Sequence, residues 1–413
     1  MNNEKKHIKN LVIIGIVMIL ILVGLVAAYC HFIRIPLNGP SKDSRKMMDL
    51  YDKTAIEKRG IDEGAVFLPE KERRIYNYLV PQIKEVAEGK RTDSSFRIPV
   101  QLILGEPKGE TGSKLIYTKE SLSIENIDGK NISKAILNFN DKSIITALWL
   151  SSPYEMFWAG RTWNLSTDGI KYNSKDDKIV IYKSDAYITL NFKVSKDYSI
   201  NGKSDGTETD PKKIEKANKI IKNADKIVEE AKDKNDYQKL KYYMEKICEL
   251  ASYNKECPSE DYGNPWQLLW VFDENPDTKV VCEGYSKAFK YLCDKTDFDE
   301  PVQCHIVTGY VSKDRTKSKK SRHMWNVVKF SNGENYLVDC TGADMENGVF
   351  DVLFLAGAPE VNGWYYIVGS QREVDKGVVT NIFFNYYYCY DKETEELYKG
   401  QNLINIAEKS YGR

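Results

Sequence analysis

The sequence predicts an α+β chain: a helix that begins on a cysteine, packed on an antiparallel sheet, preceded by a smaller α+β domain and an N-terminal transmembrane helix. Three observations predict it. Residues 11–29 form one uncharged apolar run. From Cys282 onward the apolar residues Tyr285, Ala288, Phe289 and Leu292 recur at helical spacing. Beyond that helix, residues 322–330 and 334–344 both alternate like strands around a Ser331-Asn332-Gly333 turn signal.

The apolar run reads LVIIGIVMILILVGLVAAY, long enough as a helix to cross a hydrocarbon core of roughly 30 Å. Lys5, Lys6 and Lys9 precede it, so the positive-inside rule puts residues 1–10 in the cytoplasm and the rest of the chain outside. A cleaved signal peptide is the competing reading. The run is longer than the usual apolar region of such a peptide, and Ala27-Ala28-Tyr29-Cys30 is not a clear cleavage site. The expectation is therefore an uncleaved single-pass anchor in the cell membrane. Residues 30–62, broken by Pro36, Gly39 and Pro40, read as a stalk.

Lys plus Arg number 60 and Asp plus Glu number 60, so the overall charge gives no reason to expect nucleic acid as a partner. Hydrophobic residues make up 42%, enough for a sizeable core. The eight cysteines follow irregular spacings without a CxxC pair, which argues against a zinc site. An even number outside a membrane permits disulfides without requiring them, and free thiols remain the alternative.

Residues 63–205 predict the smaller domain. Residues 73–90 place Ile75, Leu79, Ile83 and Val86 on one helix face, with Gly89 near the end. The stretches 98–104 (IPVQLIL), 114–118 (KLIYT), 134–139 (KAILNF) and 185–194 (DAYITLNFKV) read as strands. The aromatic segment 151–163 suits core packing or, more sharply, a substrate-contacting surface. Residues 203–210 are a polar joint. Residues 206–413 then open with two helices. The first has Asp210 as cap and Pro211 at its first position, and the second follows Asn235 with Leu240, Met244, Ile247 and Ala251 on one stripe.

The chemistry is expected at Cys282. At a helix start, free backbone N–H groups and the positive dipole end favour its thiolate, the nucleophilic form. Gly284 keeps the first turn slim. Only four histidines exist, and His7 and His31 flank the apolar run. His305 lies in an apolar run that reads as a core strand, which leaves His323 as the candidate base. Register then decides which acid meets it. A two-residue loop at Asn332-Gly333 would put Asp339 opposite Asn326, on the face away from His323. A three-residue loop, Ser331 to Gly333, pairs Phe330 with Glu334 and puts Asp339 opposite Trp325, which shares a face with His323. Asp344, beyond the Thr341-Gly342 break, is the weaker candidate.

Cysteine in a CEGY helix start, His323-Met324-Trp325-Asn326 on a strand and Val338-Asp339 closing its neighbour together resemble the transglutaminase-like superfamily of papain-like thiol enzymes, in its bacterial membrane-anchored branch. The motif match covers about residues 236–344, and residues 73–194 more loosely resemble the domain that precedes this module. The resemblance implies Cys282 as acyl nucleophile, His323 as base and Asp339 as orienter. It implies Trp266 and Gln267, with Trp325, as residues that help the oxyanion or bind substrate. It implies a peptide or protein substrate, a cell-surface one among the candidates, and no metal or other cofactor. Water as acceptor makes a cysteine protease or amidase, and an amine makes a cross-linking transglutaminase. A catalytically decayed surface binding module is the non-enzymatic alternative.

Overall fold

The computed structural model describes residues 67–412, apart from 168–169, 176, 257–266, 346–347, 376–377, 400–401 and 403. The expected anchor and stalk lie outside the described residues. Among those described, no helix is long and apolar enough to cross a membrane. The chain is mixed α and β, and its sheets are antiparallel.

The first helix, α1 (Glu70–Ala87), buries Ile75, Leu79, Ile83 and Val86, the stripe its sequence presents. It is followed by β1 (Ser95–Pro99), α2 (Gln101–Leu104), β2 (Gly109–Thr111), β3 (Lys114–Thr118), α3 (Lys119–Leu122), α4 (Gly129–Ile136) and α5 (Asp141–Ser151). The strands β4 (Ala159–Ser166), β5 (Tyr172–Lys175), β6 (Lys178–Tyr182) and β7 (Tyr187–Val194) complete this part. They form two sheets, β1-β7-β4 and β2-β3-β6-β5.

Two expected strands differ. The apolar stretch 98–104 is strand only to Pro99, which has no N–H to continue the ladder. Val100 turns helical, and Gly105 at φ +78° closes the short α2, its N–H donating to the Gln101 carbonyl at 2.9 Å. The stretch 134–139 is the tail of α4. Asp128 caps that helix by accepting from the Asn131 N–H at 2.8 Å, and Ile132 and Ile136 bury four residues apart. A window opened at Lys134 contains only one of those two isoleucines, so the helical period cannot be seen in it.

The second part begins with α6 (Pro211–Ala231) and α7 (Asp236–Leu250), capped by Asp210 and Asn235 as their sequences imply. Next come α8 (Gln267–Val271) and the cysteine-bearing α9 (Cys282–Asp294). The strands β8 (Gln303–Ser312), β9 (Lys320–Lys329) and β10 (Asn335–Val338) follow, then α10 (Cys340–Ala343) and the small pair β11 (Asp344–Met345) and β12 (Gly348–Val349). Last are β13 (Glu360–Val361), β14 (Trp364–Asp375), β15 (Val378–Tyr390) and α11 (Lys392–Leu397). The main sheet has the order β10-β9-β8-β15-β14-β13.

The two parts share one continuous apolar core. The aromatic segment 151–163 supplies much of the join: Met156, Phe157 and Trp158 are fully buried, Tyr154 packs its ring 5.9 Å from that of Tyr291 on α9, and its hydroxyl donates to Asn218 on α6 at 2.7 Å. Core packing is therefore its role. Phe67, just before α1, likewise packs its ring on those of His305 and Tyr398.

Candidate active site

The helix that carries Cys282 is anchored just before it starts. Val280 bonds to the 252–254 segment, donating to the Ser252 carbonyl at 3.0 Å and accepting from the Asn254 N–H at 2.9 Å. The Val281 N–H donates to Gln267 Oε1 at 3.0 Å. Val281 then caps α9 with no side-chain hydrogen bond, so no side chain competes for the N–H groups of the first turn. Gly284 is required there: a Cβ would stand 2.6 Å from that of Val280.

The sequence offers α9 one apolar stripe, yet the structure buries residues 282–293 all round. The charges that this encloses are paired. Lys287 Nζ donates to Glu283 at 2.5 Å, and Lys290 Nζ donates to the Cys304 carbonyl at 3.1 Å. Ser286 Oγ donates to the Met324 carbonyl at 2.9 Å, and Asn326 Nδ2 donates back to the Ser286 carbonyl at 3.0 Å. These two bonds lock α9 to β9, the strand that carries His323.

The β9–β10 turn has three residues. Phe330 N–H donates to Glu334 O at 3.1 Å, Gly333 N–H donates to Phe330 O at 2.9 Å, and Gly333 takes φ +83°. Lys329 pairs with Asn335 and Asn326 with Val338, so the next residue, Asp339, falls opposite Trp325. That is the register the three-residue loop demands. Asp339 Oδ2 lies 2.7 Å from His323 Nε2, and its Oδ1 accepts from the Gly342 N–H at 2.9 Å. The ladder of β10 ends at Val338, which leaves that edge of β9 open at His323. There the Cys282 side chain acts on the imidazole and raises its proton affinity. With Nε2 on Asp339, Nδ1 is the nitrogen left for the sulfur.

The electrostatics follow from this enclosure. Burial pulls the His323 proton affinity down, but the Asp339 carboxylate and the Cys282 side chain outweigh it, and its pKa is pushed up to about 10. Burial opposes ionisation of Asp339 as well, yet the His323 charge and the donors from His323, Gly342 and Tyr388 hold its carboxyl below the ordinary value. The protonated imidazole is therefore the favoured form, with the Asp339 carboxylate on one nitrogen and the other left for the sulfur.

Tyr388 is a member of the site that the sequence reading missed. Its hydroxyl donates to Asp339 Oδ2 at 2.8 Å, and its ring lies 6.2 Å from that of His323. It reaches the site from β15, two strands from β9, and the tyrosine-rich run 386–390 offers no local signal that singles it out.

Trp325 is 1% exposed, with its ring parallel to those of His323 (5.9 Å) and Tyr390 (5.5 Å). It stands behind the imidazole, out of a substrate's reach. Gly309 makes room for it, since a Cβ there would stand 2.9 Å from the Trp325 ring. Gln267 is buried beside the start of α9 with its oxygen engaged by Val281, which leaves its amide nitrogen as the group able to donate to an oxyanion. Trp266 lies outside the described residues. His305 is buried against Phe67 and Tyr398, away from Cys282, and Asp344 accepts from the Tyr285 hydroxyl at 2.5 Å. Neither takes the place of its rival.

Six cysteines fall among the described residues, and all six are free thiols, Cys282 among them; Cys30 and Cys257 lie outside. No group of three or more His, Cys, Asp or Glu side chains among the described residues converges as a metal site. The fold and site thus define a mixed α+β chain with a cysteine–histidine–aspartate constellation at a helix start. Comparison with known proteins adds no family: no family model, curated protein or solved structure matches this chain.

Proposed function

We propose that the protein is a thiol acyltransferase or hydrolase of the transglutaminase-like, papain-like kind, held at the outer face of the cell membrane by residues 11–29, with Cys282, His323 and Asp339 as its catalytic groups. The observation that carries the reading is the His323 ring, bonded through Nε2 to Asp339 and raised in proton affinity by the Cys282 side chain from the start of α9. In this reading the Cys282 sulfur attacks an amide carbonyl of a peptide or of a glutamine side chain. The oxyanion is met by backbone N–H at the helix start and by the Gln267 amide nitrogen. The C–N bond breaks as His323 passes its proton to the leaving amine, and a thioester remains on Cys282. Water or a second amine then attacks the thioester, His323 takes up the proton, and the acid or the new amide departs. Asp339 and Tyr388 hold the imidazole in line throughout.

The test is alkylation with iodoacetamide near neutral pH, read by peptide mass spectrometry. Burial pushes the thiols of Cys248, Cys293, Cys340 and Cys389 up, so they are poor competitors. One rapid, stoichiometric modification at Cys282, slowed in His323→Ala, is expected. A Cys282 as inert as those four thiols would overturn the enzyme reading in favour of a binding module. Trapping the acyl-enzyme with and without an added amine then separates transfer from hydrolysis.

A further inference from the structure

The chain's charges balance overall, but not along the β8–β9 hairpin. Residues 313–322 read KDRTKSKKSR, in which Asp314 is the single acid. That acid is spent inside the loop. Its carboxylate accepts from the Thr316 N–H at 3.1 Å, from the Thr316 hydroxyl at 2.5 Å and from the Ser318 hydroxyl at 2.6 Å. Its work is to shape the turn, and these bonds hold its carboxyl far below the ordinary range.

The cations lie on rings. Lys320 Nζ sits 4.4 Å over Tyr310, and Lys317 lies 4.8 Å over Tyr366 on the same sheet face while donating to its hydroxyl at 2.6 Å; Lys313 lies 5.1 Å over Tyr386 on the other face. Among the described residues, none of Lys313, Arg315, Lys317, Lys319 and Lys320 is in an ion pair with a carboxylate. Lys313, Arg315, Lys317, Lys319 and Lys320 thus form a cationic shelf to which no described carboxylate is ion-paired.

Its position relative to the reacting thiol follows from register. Ser286 on α9 meets Met324 and Asn326, whereas Lys290, one turn on, meets Cys304, which pairs with Val328. The start of α9, with Cys282, therefore points back along β9 toward Arg322 and Lys320. By strand alternation those two residues share the face on which Asn326 meets the helix. At about 3.3 Å per residue the shelf begins roughly 10 Å beyond His323 and ends roughly 20 Å beyond it.

We propose that this hairpin binds an acidic stretch of the peptide substrate and so selects the amide presented to Cys282. The inference rests on the acyl-transfer reading and adds the substrate class to it. A peptide laid along the ribbon rises as the ribbon does, so its carboxylates belong roughly three to six residues from the target amide. A lipid surface on the same cations would bring no amide to the thiol.

The experiment uses the full chain in a neutral detergent, with Cys282→Ala to prevent turnover, and follows fluorescence anisotropy of a labelled peptide. The peptide carries one central glutamine with glutamates at the stated spacing; its control has serines in their place. The acidic peptide should bind about tenfold more tightly, and the preference should collapse in about 0.5 M salt. It should also be lost in the triple variant Arg315→Gln, Lys319→Gln, Lys320→Gln, checked by circular dichroism for an intact fold. Equal affinity for the two peptides would overturn the proposal. So would an undiminished preference in the folded triple variant, or binding to phosphatidylserine vesicles that the acidic peptide fails to displace. Iodoacetamide labelling of the wild-type chain keeps the two readings apart. A reactive Cys282 without acidic preference removes only the shelf, and an inert Cys282 with the preference intact removes only the acyl-transfer chemistry.

Discussion

The strand β9 belongs to two hairpins, and they use it differently. On one side the β9–β10 turn is three residues long, its strands are buried, and its register decides which side chain stands opposite which. On the other side the β8–β9 loop is long and basic, with its lysines mostly at the surface. A one-residue change in the short turn would carry Asp339 to the wrong face, since alternation reverses with each slip. A similar change in the long loop would move charges that act through solvent over several ångströms, where such precision matters little. The proposed chemistry depends on the short turn that fixes which side chains face each other, and the proposed recognition on the long loop beyond the last paired residues, Ser312 and Lys320.

The sharpest way to break this comparison is Asp339→Ala. The acyl-transfer rate should fall about a thousand-fold while binding of the acidic peptide is unchanged. Asp344→Ala, measured alongside in steady-state kinetics, should lose far less, because Asp344 bonds to Tyr285 and not to the imidazole. Equal losses would detach Asp339 from the chemistry. The same variant tests the linkage of charge to stability. A His323 value raised from 6.5 to about 10 contributes stability that is full below pH 6.5 and lost as pH rises through 10. Urea midpoints taken across that window should fall with pH in the wild type and fall less in Asp339→Ala.

A smaller effect is expected from Tyr388→Phe, which keeps the ring and removes one donor from Asp339 Oδ2. The rate should drop about tenfold, the equivalent of one hydrogen bond to a charged group. The acid limb of the pH–rate profile should move to higher pH, because the donor helps to hold the Asp339 carboxyl down. An unmoved limb would reduce Tyr388 to packing.

The smallest effect belongs to the turn itself. Gly333→Ala places a side chain at φ +83° and should cost about 1 kcal/mol in urea unfolding, with the kinetics of the remaining folded protein unchanged. If activity fell much further than stability, the turn would be shifting register and not merely strained.

Local chemistry alone was enough for much of this molecule. The caps at Asp210 and Asn235 and the helix beginning at Cys282 depend on neighbours within a few residues, so each could be read directly from the sequence, whereas Ser331-Asn332-Gly333 left a two- or a three-residue turn open and the structure takes the longer one. The pairing of His323 with Asp339 was legible as a condition on that turn, since a short hairpin turns counting into geometry. Tertiary structure decided the rest. Tyr388 comes to Asp339 across two strand neighbours, and Gln267 is held by Val281 from a separate helix; no periodicity encodes either contact. The stretches 98–104 and 134–139 look like strands to any count of β-branched residues, and it was Pro99, Gly105 and the Asp128 cap that made them otherwise. The burial of α9 on all sides was likewise invisible, because Glu283 and Lys287 read as a solvated face until the fold closes over them and leaves each as the other's partner.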